Sequence, residues 1–118
     1  MIIAKILIAL IAALHLYFLI LEMFLWDKPV GMKVFGNSLE KARLTKVLAQ
    51  NQGLYNGFLV AGLIWSLFAP EGYAMALANF FLGCVLIAGV YGASTVSQKI
   101  LYIQALPALL ALIVLNFF

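Results

Sequence analysis

Four apolar runs, at 2–26, 51–69, 73–93 and 100–118, leave this chain few ways to fold. Each is close to the roughly 20 residues a helix needs to cross a bilayer. Lipid offers the backbone no hydrogen bonds, so runs of this kind are predicted to be helices. Hydrophobic residues make up 67% of the 118 and charged residues 9%, whereas a soluble domain is about half apolar and a quarter charged. The predicted fold is an all-α, four-transmembrane-helix antiparallel bundle, one integral membrane domain over 1–118. Lys5 ahead of an apolar run also suits a signal peptide. The length of the run, and the interfacial look of Trp26, Asp27 and Lys28 after it, favour a span.

The polar segment 27–50 separates the first two spans. Pro29, Gly31, Gly36 and Asn37 mark turns there. Asn37 with Glu40 resembles a capping box, which places a helix start near Ser38. An amphipathic lead-in is predicted to run unbroken into the second span. Ala69-Pro70-Glu71-Gly72 is short enough only for a hairpin between antiparallel helices. Pro107 lies inside the fourth span, removes the bond to the Ile103 carbonyl and predicts a kink.

Basic residues set the orientation. The first loop carries Lys28, Lys33, Lys41, Arg43 and Lys46, the second carries none and the third carries Lys99. Loops one and three are therefore expected on the cytoplasmic side, with both termini outside. Lys5 opposes this assignment alone. The net charge of +3 reads as an orientation signal and not as a nucleic-acid surface. A single cysteine, Cys84, and a single histidine, His15, exclude an internal disulfide and a multi-residue Cys or His metal site.

With that topology the intramembrane polar residues gather at one depth. Glu22 lies near the cytoplasmic end of the first span, and Asn51, Gln52, Tyr55 and Asn56 open the second. Tyr91 closes the third and Gln104 opens the fourth, while His15 lies deeper. His15 and Glu22 are two turns apart, on one stripe with Phe18 and Leu19. Asn51 with Tyr55, and Gln52 with Asn56, form two pairs about 100° apart around the helix. Gly53, Gly57 and Ala61, then Cys84, Ala88 and Gly92, then Ala105, Ala108 and Ala111 form stripes of small residues that let helices approach closely.

A carboxylate within hydrocarbon points to function, unless Glu22 reaches water or pairs with Lys28 or Lys46. His15 suits a proton carrier, or else a neutral interhelical hydrogen bond. The amide group on the second span suits a ligand site, or else interhelical glue.

Several residues together resemble the bacterial family called domain of unknown function 1304. They are His15, Tyr17, Glu22, Met23, Phe24 and Trp26, then Val34-Phe35-Gly36, Asn51-Gln52-Gly53-Leu54-Tyr55-Asn56-Gly57, and Gln104 with Pro107-Ala108. The resemblance covers essentially the whole chain and implies a small four-span membrane protein without implying an activity. The architecture is also similar to the membrane-associated proteins in eicosanoid and glutathione metabolism, whose trimers bind glutathione near the cytoplasmic face. Arg43 or Lys46 followed by Asn51 echoes their second-span pattern. No acidic residue follows Asn51 on that span, and no arginine lies in the third loop or fourth span, so only architecture and a possible trimer carry over.

The expected function is binding of a small amphipathic or lipophilic molecule in a cytoplasm-facing pocket of a bacterial inner-membrane protein, with modification of that molecule open to the same residues. Glu22 would be the acid or base and His15 its deeper partner. Asn51, Gln52, Tyr55, Asn56, Tyr91 and Gln104 would orient the ligand, and Arg43 and Lys46 would attract an anionic part. Membrane lipid and further copies of the chain are the expected partners. The sequence neither names nor excludes a cofactor. A proton- or cation-coupled transporter or channel subunit, and a scaffold without a small ligand, are the alternatives.

Overall fold

The computed structural model describes residues 2–118, and among them every regular element is helical. Five α-helices follow in order: α1 (Ile2–Met23), α2 (Pro29–Phe35), α3 (Leu39–Phe68), α4 (Glu71–Thr95) and α5 (Leu106–Phe117). A π-helical segment, Leu101–Ala105, leads into α5. Helices α1 and α4 are long and apolar enough to cross a membrane. Helix α3 is longer still, but its charged start and its amides lower its hydropathy. The stretch Leu101–Phe117 is apolar and shorter.

Local chemistry explains most of the boundaries. Helix α1 stops at Met23, three residues short of the expected Trp26, and a turn follows in which Lys28 N–H bonds the Leu25 carbonyl at 3.1 Å. The segment expected to hold only turns contains α2. Pro29 sits in its first turn, where a missing N–H costs nothing. Gly36 ends it in the left-handed region, φ 68°, with its N–H on the Met32 carbonyl. The cap of α3 is Ser38, not Asn37: Ser38 Oγ accepts from Lys41 N–H at 3.2 Å. From there α3 runs unbroken from the basic loop through the amide stretch, as the sequence predicts. The hairpin between α3 and α4 is as short as expected.

The chain divides into two compact units, one of residues up to Ala13 with Ala61–Phe118, the other Leu14–Val60. In the first, α4 runs antiparallel to the π segment and α5. Gly92 is beside Ile100, Gly89 beside Ala105, and Asn79 pairs with Asn116. The buried face of α4 is Ala78, Leu82, Val85 and Gly89. It lies off the expected Cys84, Ala88 and Gly92 stripe, and Ala88 is exposed. Ala105, Ala108 and Ala111 are buried, as their spacing predicts. Pro107 cannot donate to Ile103, and the helix accommodates this as the π turn just before it. There Leu106 N–H bonds the Leu101 carbonyl, five residues back.

In the second unit α1 runs antiparallel to the first half of α3. Met23 and Glu22 lie against Gly53, and Leu19 lies against Gly57. Glycine lets the two backbones approach at both places.

Gly89 and Gly83 make a direct test of this packing. A Cβ on Gly89 would lie 2.6 Å from the backbone nitrogen of Ala105, and one on Gly83 would meet nothing within 4 Å. Gly89→Ala should therefore destabilise by about 1–3 kcal/mol. Gly83→Ala, in the same helix, should be neutral or gain about 0.5–1 kcal/mol. Thermal melts of both variants in mild detergent check this.

Candidate functional site: a buried carboxylate held by two amides

Glu22 occupies the last turn of α1 and is 2% exposed. Both carboxylate oxygens accept hydrogen bonds from α3. Gln52 Nε2 donates to Oε2 and Asn56 Nδ2 donates to Oε1, each at 2.5 Å. Gln52 and Asn56 are one helical turn apart, so their side chains leave α3 on the same face and can grip one carboxylate from two sides. Gly53 flanks that face, and its missing side chain makes room for Met23 and the Glu22 Cβ.

Glu22 does not pair with a lysine. Lys46 Nζ instead meets Asp27 Oδ2 at 3.1 Å, and that is the ion pair among the described residues. The hydrogen bond from the Lys46 ammonium is the main reason the Asp27 carboxyl is held below the usual carboxylate range. Beside this pair, Trp26 Nε1 donates to Thr45 Oγ1 at 3.0 Å, and the Trp26 ring packs on Phe35 with centroids 4.8 Å apart. Trp26 and Asp27 thus tie the turn after α1 to the first turns of α3.

The other candidate residues fall in different places. His15 is 0% exposed, two turns before Glu22 on the buried side of α1, and its ring meets Phe18 edge-on at 5.8 Å. Asn51 turns away from Glu22 and donates to its own helix, at the Val47 carbonyl. Tyr55 is exposed and lies against Phe58. Arg43 is exposed. Tyr91 is exposed on α4, where its carbonyl accepts from Ser94 and Thr95. Gln104 belongs to the π segment. Of the two polar pairs on α3, the structure thus brings Gln52 and Asn56 to the carboxylate and leaves Asn51 and Tyr55 off it. Sequence reasoning read Asp27 only as part of an interfacial anchor and did not single out Thr45. Their signal was a Trp-Asp pair closing the first span and a Thr-Lys pair opening the next helix.

Burial does not leave polar atoms stranded. Among the described residues, every buried side-chain nitrogen or oxygen has a hydrogen-bond partner. None of their His, Cys, Asp and Glu side chains form a group of three or more able to hold a metal ion. The chemistry available at Glu22 is that of one carboxylate that accepts hydrogen bonds, a cation or a proton. Each amide keeps a carbonyl acceptor and a second N–H beyond the bond it gives to Glu22.

A family model described as a protein of unknown function, DUF1304, matches residues 9–116. The chain belongs to this family. The match takes in α2, α3, α4 and the π segment, all but the start of α1 and all but the last residue of α5, and therefore every residue of the carboxylate–amide cluster. An uncharacterised protein, YpaA, of Lactococcus lactis subsp. lactis (strain IL1403) is 31% identical over 116 residues, covering 96% of this chain and 97% of that one. No solved structure matches.

The Asp27–Lys46 pair has a definite pH signature. Because the folded state lowers the Asp27 pKa, the pair contributes its full stability above the ordinary aspartate range, about pH 4. That contribution is lost as pH falls through the lower folded value. Unfolding melts between pH 7 and pH 3 should show an acid-side decline that is shallower in Asp27→Asn. An equal decline in both proteins would assign the acid sensitivity to other carboxylates.

Proposed function

We propose that this is a bacterial inner-membrane protein of four spans that binds a small amphipathic or lipophilic molecule at the Glu22 cluster. The spans are α1, the apolar part of α3, α4, and the π segment with α5. The basic loop faces the cytoplasm and both termini face out. Two apolar helices support the membrane setting. So does the surface, where large apolar side chains such as Ile6, Leu10, Phe58, Trp65, Phe80 and Ile87 are exposed while His15 and Glu22 are buried. Lipid accepts such a surface at no cost, whereas water penalises it.

One observation carries the binding reading. Glu22 is buried, yet one of its two hydrogen bonds comes from Gln52, whose residue is exposed. Rotation of that single flexible side chain uncovers a carboxylate oxygen. A ligand ammonium or hydroxyl then replaces the amide N–H, so no acceptor is left bare, and binding exchanges one hydrogen bond for another. The same step puts a carboxyl group beside the ligand as acid or base. Lys46 takes no direct part, since it is held on Asp27. The ligand group favoured here is thus a donor or cation, not the anion that the basic loop suggests.

A second reading is proton or cation transport, favoured by the complete burial of His15 on the same helix as Glu22. Assembly into a homo-oligomer is part of the proposal. A trimer is the form suggested by the architectural similarity to the eicosanoid and glutathione group.

Glu22→Gln separates binding from mere helix glue. Glutamine keeps the shape, and a flip of Asn56 or Gln52 restores two hydrogen bonds, so the oligomer and its melting temperature should stay close to wild type. Native mass spectrometry of gently extracted protein should show a small-molecule mass on wild type that is reduced at least tenfold in Glu22→Gln. Equal retention by both proteins, or no retained mass in either, overturns the binding reading. Proton flux in vesicles that is lost in Glu22→Gln would select transport.

A further inference from the structure

Lys5 and Glu71 are charges that the Glu22 cluster does not use. Lys5 stands one turn into α1 among apolar residues, and Glu71 opens α4. Each has an ordinary explanation alone. A lysine near a helix end reaches out along its apolar stem, and an acidic residue suits a helix start. Both, however, line one cavity of about 380 Å³ within the unit that joins the start of α1 to 61–118. Its floor is apolar, with Ile8, Met75 and Leu115, and Ser66 also contributes to the wall. The Ser66 hydroxyl donates to the Leu63 carbonyl at 2.6 Å and still has oxygen lone pairs to accept with.

The two charges do not neutralise each other. Among the described residues neither Lys5 nor Glu71 forms an ion pair or a side-chain hydrogen bond, although both border the same space. An anionic site would need Lys5 without Glu71, and a cationic one the reverse. Opposite charges held apart over an apolar floor fit a molecule carrying both charges on an apolar body. The volume is at the low end of the roughly 300–1,000 Å³ of small-molecule sites. It takes a polar head and its linker, not a whole lipid.

We propose that this cavity binds the head of a zwitterionic amphiphile of the phosphoethanolamine type. Its phosphate lies at Lys5, its ammonium at Glu71 with Ser66 as an acceptor, and its tails lie along the exposed apolar helix faces. The site is independent of Glu22.

The test uses full-length protein in nanodiscs containing equal phosphatidylethanolamine and phosphatidylglycerol, with co-purifying lipid measured after release into detergent. Wild type should enrich the ethanolamine lipid at least fivefold. Glu71→Gln should abolish that preference, because the charge that pairs with the ammonium is gone and the Ser66 oxygen accepts from a glycerol hydroxyl as readily as from an ammonium. Lys5→Gln should lower retention of both. Both positions are exposed, and helical circular dichroism verifies the fold. The exchange Lys5→Glu with Glu71→Lys should restore the preference. Millimolar soluble phosphoethanolamine distinguishes the source: displacement of the lipid means that the head alone suffices, and persistence means that the tails are needed. Equal retention of the two lipids by wild type, or a preference unchanged in Glu71→Gln, overturns the proposal. Glu22→Gln should leave the preference intact, so failure here and failure at Glu22 are read separately.

Discussion

The paired hydrogen bonds from Gln52 and Asn56 to Glu22 set the terms for the Leu14–Val60 unit. A buried carboxylate is costly unless both oxygens are occupied, and a neutral amide does this without adding a second buried charge. The geometry admits little slack. The donors must leave α3 one turn apart, and the backbones must approach closely enough for short side chains to meet. Gly53 and Gly57 supply that approach, because a Cβ at either would strike Met23 or Leu19. Sliding α3 by one residue would present Gly53 and Gly57 to the carboxylate in one direction and Asn51 and Tyr55 in the other, so the native register is the one that offers two amides. The cluster therefore fixes the register of the helix pair, while apolar contacts alone would tolerate several.

Beyond the last turn of α1 the same register is held by different chemistry. Trp26 to Thr45 and Asp27 to Lys46 bridge the two helices where side chains are only partly buried. A solvent-accessible ion pair of this kind gives little stability. Its position after the Glu22 cluster, with α2 folded between, makes it a clamp on the loop more than a source of free energy. In the other unit the corresponding tasks fall to small residues. Gly89 and the alanines of the π segment and α5 bring α4 close, and Asn79 and Asn116 exchange hydrogen bonds across the far end. In that reciprocal pair each amide gives and accepts a hydrogen bond, which fixes the two helices against each other.

Much of this was legible because each feature has a local cause. Run length and hydropathy gave the long helices, and the absence of any breaker between Leu39 and Phe68 gave the continuity of α3. The alanine stripe of α5 was readable from spacing. Helix α2 was hidden because proline and glycine mark turns as readily as helix ends, and seven residues are too few for an apolar period. Ser38 outcompeted Asn37 as cap by a single position, a choice set by backbone direction that composition does not record. Among the amides, the sequence defined two faces 100° apart and could not choose between them. That choice depends on where Glu22 arrives from α1, a long-range fact. The stripe on α4 was misplaced by about one residue for the same reason, since Gly89 is selected by Ala105 and not by its neighbours in sequence.

The buried face of α1 shows what that long-range fact amounts to. Ala4, Ile8, Ile11, His15 and Glu22 recur at helical spacing and are all buried, while Ile6, Leu10, Leu16 and Ile20 between them are exposed. One stripe thus passes from methyl groups to an imidazole to a carboxylate along a helix whose outer side, after Lys5, carries no charge. In water the titratable groups would turn outward; here His15 and Glu22 turn inward on the same stripe as Ile8 and Ile11, while Ile6 and Ile20 face out. A helix surrounded by lipid has that preference for a simple reason: the interior is where a polar side chain finds another polar side chain. On that account the amides of α3 and the acid of α1 are mutually necessary. Either set alone would be an expense with no return, and together they give the helix pair a single alignment and leave one carboxylate oxygen behind a movable amide.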